Sequence, residues 1–245
     1  MKNKQDLYDW LNSLKAETLP VGASDPLPPF DDRHKFVIVG PARSGKDTTA
    51  MILSKCCTFD WESIRYRGST SLCMLPLVQR VFERLTAEYM QPEDFYRQRT
   101  ELRQFWFECI KAYRLLDPLT TVLTSLDGSD VLCGCRDIKE IFSAINMMKT
   151  CTVVYVTSDV EDNSDPTWPY NVGTFAGLLQ ARFPRIQLTL LDGEPAKMLT
   201  SLGKIVDLRT KPYGDSARLE TYINNGVFFG DVLRDREVTL NLGDW

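Results

Sequence analysis

The sequence predicts an α/β domain of three layers, with a parallel sheet held between helices and a phosphate-binding loop (P-loop) at its centre. Three observations predict it. Phe36-Val37-Ile38-Val39 is a short apolar run of the kind that makes a buried strand. It ends at Gly40-Pro41-Ala42-Arg43-Ser44-Gly45-Lys46, which spells G-x-x-x-x-G-K, and Asp47-Thr48-Thr49-Ala50-Met51-Ile52-Leu53 then reads as a helix. Beyond it, strand-like and helix-like runs alternate, the order that builds a parallel sheet covered on both faces. A glycine turn alone would account for the letters of the motif. It would not account for the strand before them and the helix after them.

In chain order, Leu7, Trp10, Leu11 and Leu14 recur at helical spacing and predict a short amphipathic N-terminal helix. Pro20, Pro26, Pro28 and Pro29 follow as an extended linker, so residues 1–34 read as an appendage and 35–245 as the main domain. The helix packs on its own domain or, in a homodimer, on a second subunit. After the phosphate loop and its helix, Ser63-Ile64-Arg65-Tyr66 reads as a second strand. Residues of about 68–126 form a helical insertion: Leu72 to Tyr89 is helical, and Glu93 to Leu116 is one long helix. The apolar face of that long helix carries Phe95, Leu102, Phe105, Trp106, Cys109, Ile110 and Tyr113. Asp117-Pro118 stops it, and a shorter helix covers Leu119 to Leu126.

Asp130 to Cys135 is the next strand, Asp137 to Met148 a helix, and Cys151 to Val156 a further strand. Asp159 to Tyr170 is an acidic loop, and Phe175 to Phe183 is helical. Ile186 to Leu191 and Ile205 to Leu208 read as strands, and Leu219 to Ile223 as a strand leading into the turn Asn224-Asn225-Gly226.

Composition narrows the function classes. A chain that is 43% apolar and 25% charged can bury a sizeable core. The net charge of −4 gives no global basic field for nucleic acid, although a local cleft on an acidic protein can still be basic. The seven cysteines lack paired C-x-x-C spacing, which points to reduced thiols and a cytoplasmic setting (a host cell's cytoplasm for a phage-encoded chain). No apolar run is long enough to span a membrane, and MKNKQDLYDW does not read as a signal peptide. The single histidine, His34, precedes the first strand and reads as solvent-facing, which leaves little room for histidine catalysis.

The loop chemistry follows from residue type. Glycines let backbone N–H groups converge on phosphate oxygens, Lys46 adds a positive charge, and the helix N-terminus favours the same anion. Gly40, Ala42, Arg43, Ser44, Gly45, Lys46, Asp47, Thr48 and Thr49 are therefore the candidate nucleotide-binding residues. The motif places a Ser or Thr metal ligand directly after the lysine; here Asp47 stands there and Thr48 follows, so both are candidates to hold Mg²⁺.

Three more groups are candidates. Arg99 and Arg103 are four apart on the expected long helix, where forked guanidiniums suit a second phosphate. A solvated face paired with Glu101 and Glu108 explains them equally well. Arg136 and Asp137 follow Gly134-Cys135 at a strand's carboxyl end, where open α/β sheets gather ligands; Asp137 also fits a helix N-cap. Arg65, Arg67 and Ser69 follow the second strand and can meet an acceptor, or simply form a hydrogen-bonded turn.

GPARSGKDTTA resembles the G-x-x-R-S-G-K-D-T-T stretch of bacteriophage-type deoxynucleoside monophosphate kinases, in which Asp-Thr after the lysine is habitual. Gly134 to Glu140 is similar to that family's strand-end x-x-R…E segment, and Tyr222 to Gly226 to its late strand and Asn-Gly turn. The stretch from Arg99 through Asp117-Pro118 to Arg136 also resembles related phage P-loop kinases that phosphorylate hydroxymethylated pyrimidines within DNA. The resemblance implies a nucleoside monophosphate kinase-like fold, ATP and Mg²⁺ as cofactors, and a nucleotide or modified DNA as partner. It implies catalytic roles for Lys46, Arg136 and Asp137, and acceptor binding by Arg65, Arg67, Ser69, Arg99, Arg103 and Arg136. Two features depart from it: Gly134 stands where an aspartate is expected, and the 159–170 loop lacks the arginines of a phosphate-closing lid. A switch or motor ATPase would need an acidic residue after the strand ending in Gly134-Cys135. A nucleotide-binding interaction protein without turnover is the reading from a third class.

Overall fold

The computed structural model describes residues 31–157, 168–193, 198 and 201–208. The expected N-terminal helix and linker, most of the acidic loop, and the late strand with its Asn-Gly turn lie outside these residues.

Lys35–Val39 forms β1, and the chain passes through the 40–45 loop into α1, Lys46–Cys56. A hairpin follows, β2 Cys57–Phe59 and β3 Glu62–Ser63. A run of helices comes next: α2 Thr70–Cys73, α3 Leu75–Thr86, α4 Pro92–Arg97, α5 Arg103–Leu116 and α6 Thr120–Leu126. The chain then returns as β4 Val131–Cys133, α7 Ile138–Met147, β5 Cys151–Thr157, α8 Val172–Arg182, β6 Leu188–Asp192 and β7 Asp207–Leu208.

The main sheet has four strands in the order β4-β1-β5-β6, and every pairing in it is parallel. The central strand β1 is buried along its whole length, which is why it reads as a continuous apolar run rather than an alternating one. Its side chains alternate between two cores. Phe36 and Ile38 pack with Ala50 and Leu53 of α1, together with Val154, Leu191 and Met198. Val37 and Val39 pack on the other face with Ile141 and Ala144 of α7 and Phe175 and Leu179 of α8. Those two faces make the three layers. A third core, built from Met74, Val78, Phe95, Trp106 and Cys109, holds α3, α4 and α5 together beside the sheet.

Several expectations change. The long helix is broken: a 3₁₀ turn at Gln98–Thr100 separates α4 from α5. Arg97 to Glu101 is an unbroken polar run, so no apolar side chain there fixes the helix to the core. Of the expected strand Ser63 to Tyr66, only Ser63 is in a ladder, as the end of β3. Ile64 and Tyr66 are buried as its pattern suggests, but the run lies along β4, joined through Asp130 N–H donating to Arg65 O at 2.8 Å. Ile205–Leu208 shortens to β7, which pairs antiparallel with β2 in a separate three-stranded sheet. His34 is half-buried, stacked on Phe59 at 4.0 Å with Nε2 2.9 Å from Thr152 Oγ1, so it does not face solvent freely. Burial lowers its pKa, partly opposed by nearby Asp60.

Among the described residues, no helix is long and apolar enough to cross a membrane. Cys57, Cys73, Cys109, Cys133, Cys135 and Cys151 are free thiols.

Candidate functional site at the carboxyl edge of the sheet

All four parallel strands point their carboxyl ends to one edge, and the loop Gly40 to Lys46 sits there. Its shape comes from left-handed residues: Arg43 has φ 60° and Gly45 φ 90°, at the entry to α1. Such turns aim successive backbone N–H groups to one side and build an anion-binding concavity. The helix adds to it, because Gly45 caps α1 with no side-chain hydrogen bond and the first-turn amides keep the positive end of the dipole. Ser44 is buried, Arg43 is exposed, and Ala42 is half-buried.

Lys46 is buried, and its Nζ donates to the Pro41 carbonyl and lies 3.4 Å from Ser44 Oγ. The ammonium therefore lies along the loop. Thr49 is fully buried and serves the loop's framework: its Oγ1 donates to Gly45 O at 3.0 Å. Thr48 is half-buried in the first turn of α1, while Asp47 is exposed. Behind the loop stands Gly193, after β6. A Cβ there would overlap the Ser44 carbonyl oxygen and come within 2.7 Å of Thr157 O, so only glycine lets β6 back the loop this closely.

From Asp47 the site continues to the end of β4. Asp47 Oδ1 accepts from Tyr66 Oη and from Cys133 Sγ, both at 3.5 Å. Burial pushes the Tyr66 phenol and the Cys133 thiol well above their ordinary pKa, and the neighbouring Asp47 charge adds to this. Both side chains thus remain protonated donors. Gly134 follows at φ 86°, against Ser69 and the start of α2. Tyr96 of α4 joins the same wall: burial raises its phenol to about 12, opposed by Arg99 and a hydrogen bond with Ser69. The Arg99 guanidinium lies 4.2 Å from the Tyr96 ring centre, and its Nη1 donates to Tyr96 O.

Arg136 and Asp137 occupy the turn between β4 and α7. Asp137 caps α7, accepting from Lys139 N at 2.8 Å. Arg103 is exposed at the start of α5 and no longer shares a helix with Arg99.

Arg65 and Arg67 belong elsewhere. Arg65 binds the buried Asp130 through Nε and Nη2 at 3.0 and 2.7 Å, at the amino edge of the sheet, and its Nη2 also reaches Asp31. Lys35 and Arg33 complete that network at 2.9 and 3.2 Å from Asp130. Burial alone would raise the Asp130 carboxyl, but hydrogen bonds from the Arg65 side chain and backbone and from Lys35 hold it far below the usual range. Arg67 pairs with Asp127 at 2.8 Å, before β4. The structure thus gathers Gly40 to Thr49, Ser69, Arg99 and the Arg136-Asp137 turn around the carboxyl edge and takes Arg65 and Arg67 away from it. Gly193, Tyr66 and Tyr96 are additions; Tyr66 stood in a run expected to be a strand, and Gly193 carried no local signal.

Among the described residues no group of three metal-ligating side chains comes together. Asp47 and Thr48 do supply hard oxygen donors beside the 40–46 loop, a donor chemistry that suits Mg²⁺. Comparison with known protein families, curated proteins and solved structures finds no match.

Proposed function

We propose that this chain is a P-loop phosphotransferase, with the fold plan of the nucleoside monophosphate kinases, that moves the γ-phosphoryl group of ATP to a nucleotide acceptor. The observation that carries the proposal is the loop between β1 and α1, where left-handed Arg43 and Gly45, the free end of α1 and Lys46 meet at one spot. Phosphoryl transfer asks a protein mainly for positioning and charge neutralisation, and this edge supplies both.

In this reading the amides of Ala42 to Lys46 hold the donor phosphates, and Lys46 exchanges its contact with Pro41 O for phosphate oxygens. Asp47 and Thr48 would hold Mg²⁺, which neutralises charge on the phosphates when bound. Thr49 acts from beneath by fixing Gly45. Arg136 meets the acceptor or the migrating charge. Tyr66, Ser69 and Tyr96 form the acceptor wall, and Arg99 braces Tyr96 from the other side. Asp137 keeps the Arg136 turn in place as the cap of α7.

The acceptor is a free deoxynucleotide in the first instance, in keeping with the acidic balance of the chain. Hydroxymethyl-pyrimidine DNA is the second acceptor to test. A screen of ATP consumption across deoxynucleoside monophosphates, nucleosides and hydroxymethyluracil-containing DNA tests the proposal, with the phosphorylated product identified by mass. Stoichiometric ADP and a phosphorylated acceptor are expected. ATP binding without transfer to any of them would leave a nucleotide-binding interaction protein and overturn the kinase reading.

A further inference from the structure

Glu140 is a buried carboxylate in the first turn of α7, and three other elements converge on it. Arg114 Nε of α5 lies 2.6 Å from Oε1, and Thr121 Oγ1 of α6 donates to the same oxygen at 3.0 Å. Cys135 Sγ, in the turn after β4, donates to Oε2 at 3.2 Å. Burial, together with the Glu140 charge, pushes the Cys135 thiol well up, so it stays a donor. Thr121 is fully buried, as is Ser125, whose Oγ donates to Thr121 O at 2.6 Å and lies 3.4 Å from Thr70 Oγ1. Thr70 Oγ1 in turn donates to the Cys133 carbonyl at 2.9 Å. A continuous buried polar chain therefore links the helices at the side of the sheet to both ends of the turn that carries Arg136.

Resting on the phosphotransferase reading above, we propose that Glu140 is a positioning residue for acceptor phosphorylation. It holds Cys135, and so the Arg136 turn, in register with α5 and α6. The side chain touches none of the proposed reacting groups and acts through Arg136. A buried carboxylate is held by few donors of fixed geometry, so changing it moves what those donors carry. Filling space alone would not require a carboxyl group here, since an apolar residue of similar size would do so.

The test is a double-mutant cycle with full-length protein, reading acceptor kcat, acceptor KM, ATP affinity and thermal unfolding. Glu140→Gln is expected to lower acceptor kcat at least tenfold with ATP affinity changed less than about twofold, and to have no further effect in an Arg136→Ala background. Cys135→Ala, which leaves the Glu140–Arg114 pair intact, is the variant to use if Glu140→Gln does not fold. It should show the same pattern at smaller size, and Cys135→Ser, which keeps a donor, should restore kcat. Multiplicative effects in the double mutant, or parallel losses of ATP affinity and stability at unchanged kcat, overturn the inference while leaving the phosphotransferase reading intact. A wild-type chain that phosphorylates no acceptor overturns both.

Discussion

The two edges of the central sheet treat charge in opposite ways. At the amino edge, Asp130 is almost fully buried and meets Lys35, Arg33 and Arg65, with Asp31 closing the network from outside. At the carboxyl edge, Lys46 leans on a backbone carbonyl and a hydroxyl, and Asp47 meets a phenol and a thiol. The first edge uses its ions to hold β1, β4 and the 64–66 run together. At the second, the contacts of Lys46 with Pro41 O and of Asp47 with Tyr66 and Cys133 lie where, in the proposed reading, phosphates and their metal bind. On the phosphotransferase proposal, the first of these sites is structural and the second chemical.

Substitutions can break this contrast, and the largest effect belongs to the carboxyl edge. Lys46→Ala should reduce phosphoryl transfer at least a hundredfold, since electrostatic contacts to a transferring group are worth roughly 3–4 kcal/mol each. Its thermal unfolding should stay close to wild type, measured side by side by calorimetry. Asp130→Asn is the mirror image. Removing one member of a buried charge network costs about 3–5 kcal/mol of stability, visible as a lower denaturant midpoint, while the folded fraction keeps its ATP affinity.

Acid provides a finer probe of the same network. The folded-state pKa of Asp130 lies below its unfolded value, so the unfolded chain binds the extra proton. The stabilisation is thus complete above about pH 4 and is lost as pH falls from there towards the folded pKa. Unfolding free energy measured from pH 6 downward should drop more steeply in wild type than in Asp130→Asn.

Gly193→Ala sharpens the picture of the carboxyl edge. The added methyl overlaps the Ser44 carbonyl, so the loop must shift, and ATP affinity should weaken about tenfold with little effect on the acceptor. Smaller still is the difference between two arginines the sequence put together. Arg99→Ala removes the brace on Tyr96 and should lower acceptor kcat/KM by about tenfold. Arg103→Ala, on an exposed position, should change it by no more than about twofold.

What the sequence made legible was local. β1, the loop, α1 and β5 have unmixed local patterns, and their boundaries agree with the structure within a residue, except that α1 runs three residues past Leu53 to Cys56. The 40–49 cluster was legible for the same reason. Features that depend on distant partners were not. Asp130 meets Arg65 and Lys35 across separations of 65 and 95 residues, so Arg65 looked available for substrate. The β2–β3 hairpin carried no turn signal, because Asp60 and Trp61 both adopt positive φ without a glycine. Ile64 and Tyr66 showed the right burial pattern, but the backbone between them, at Arg65, bonds to Asp130 rather than to a ladder partner. Gly193 is one residue whose meaning lies in the chain segment it faces, and only the fold reveals that segment.

The contrast between the two edges can be measured directly by amide hydrogen exchange on the full chain, with and without Mg-ATP. Protection is expected at Gly40 to Leu53 and around Gly134 to Glu140, with exchange around Arg33, Arg65 and Asp130 unchanged. Protection confined to the amino edge, or none anywhere at saturating ATP, would contradict the assignment of the phosphate-binding site.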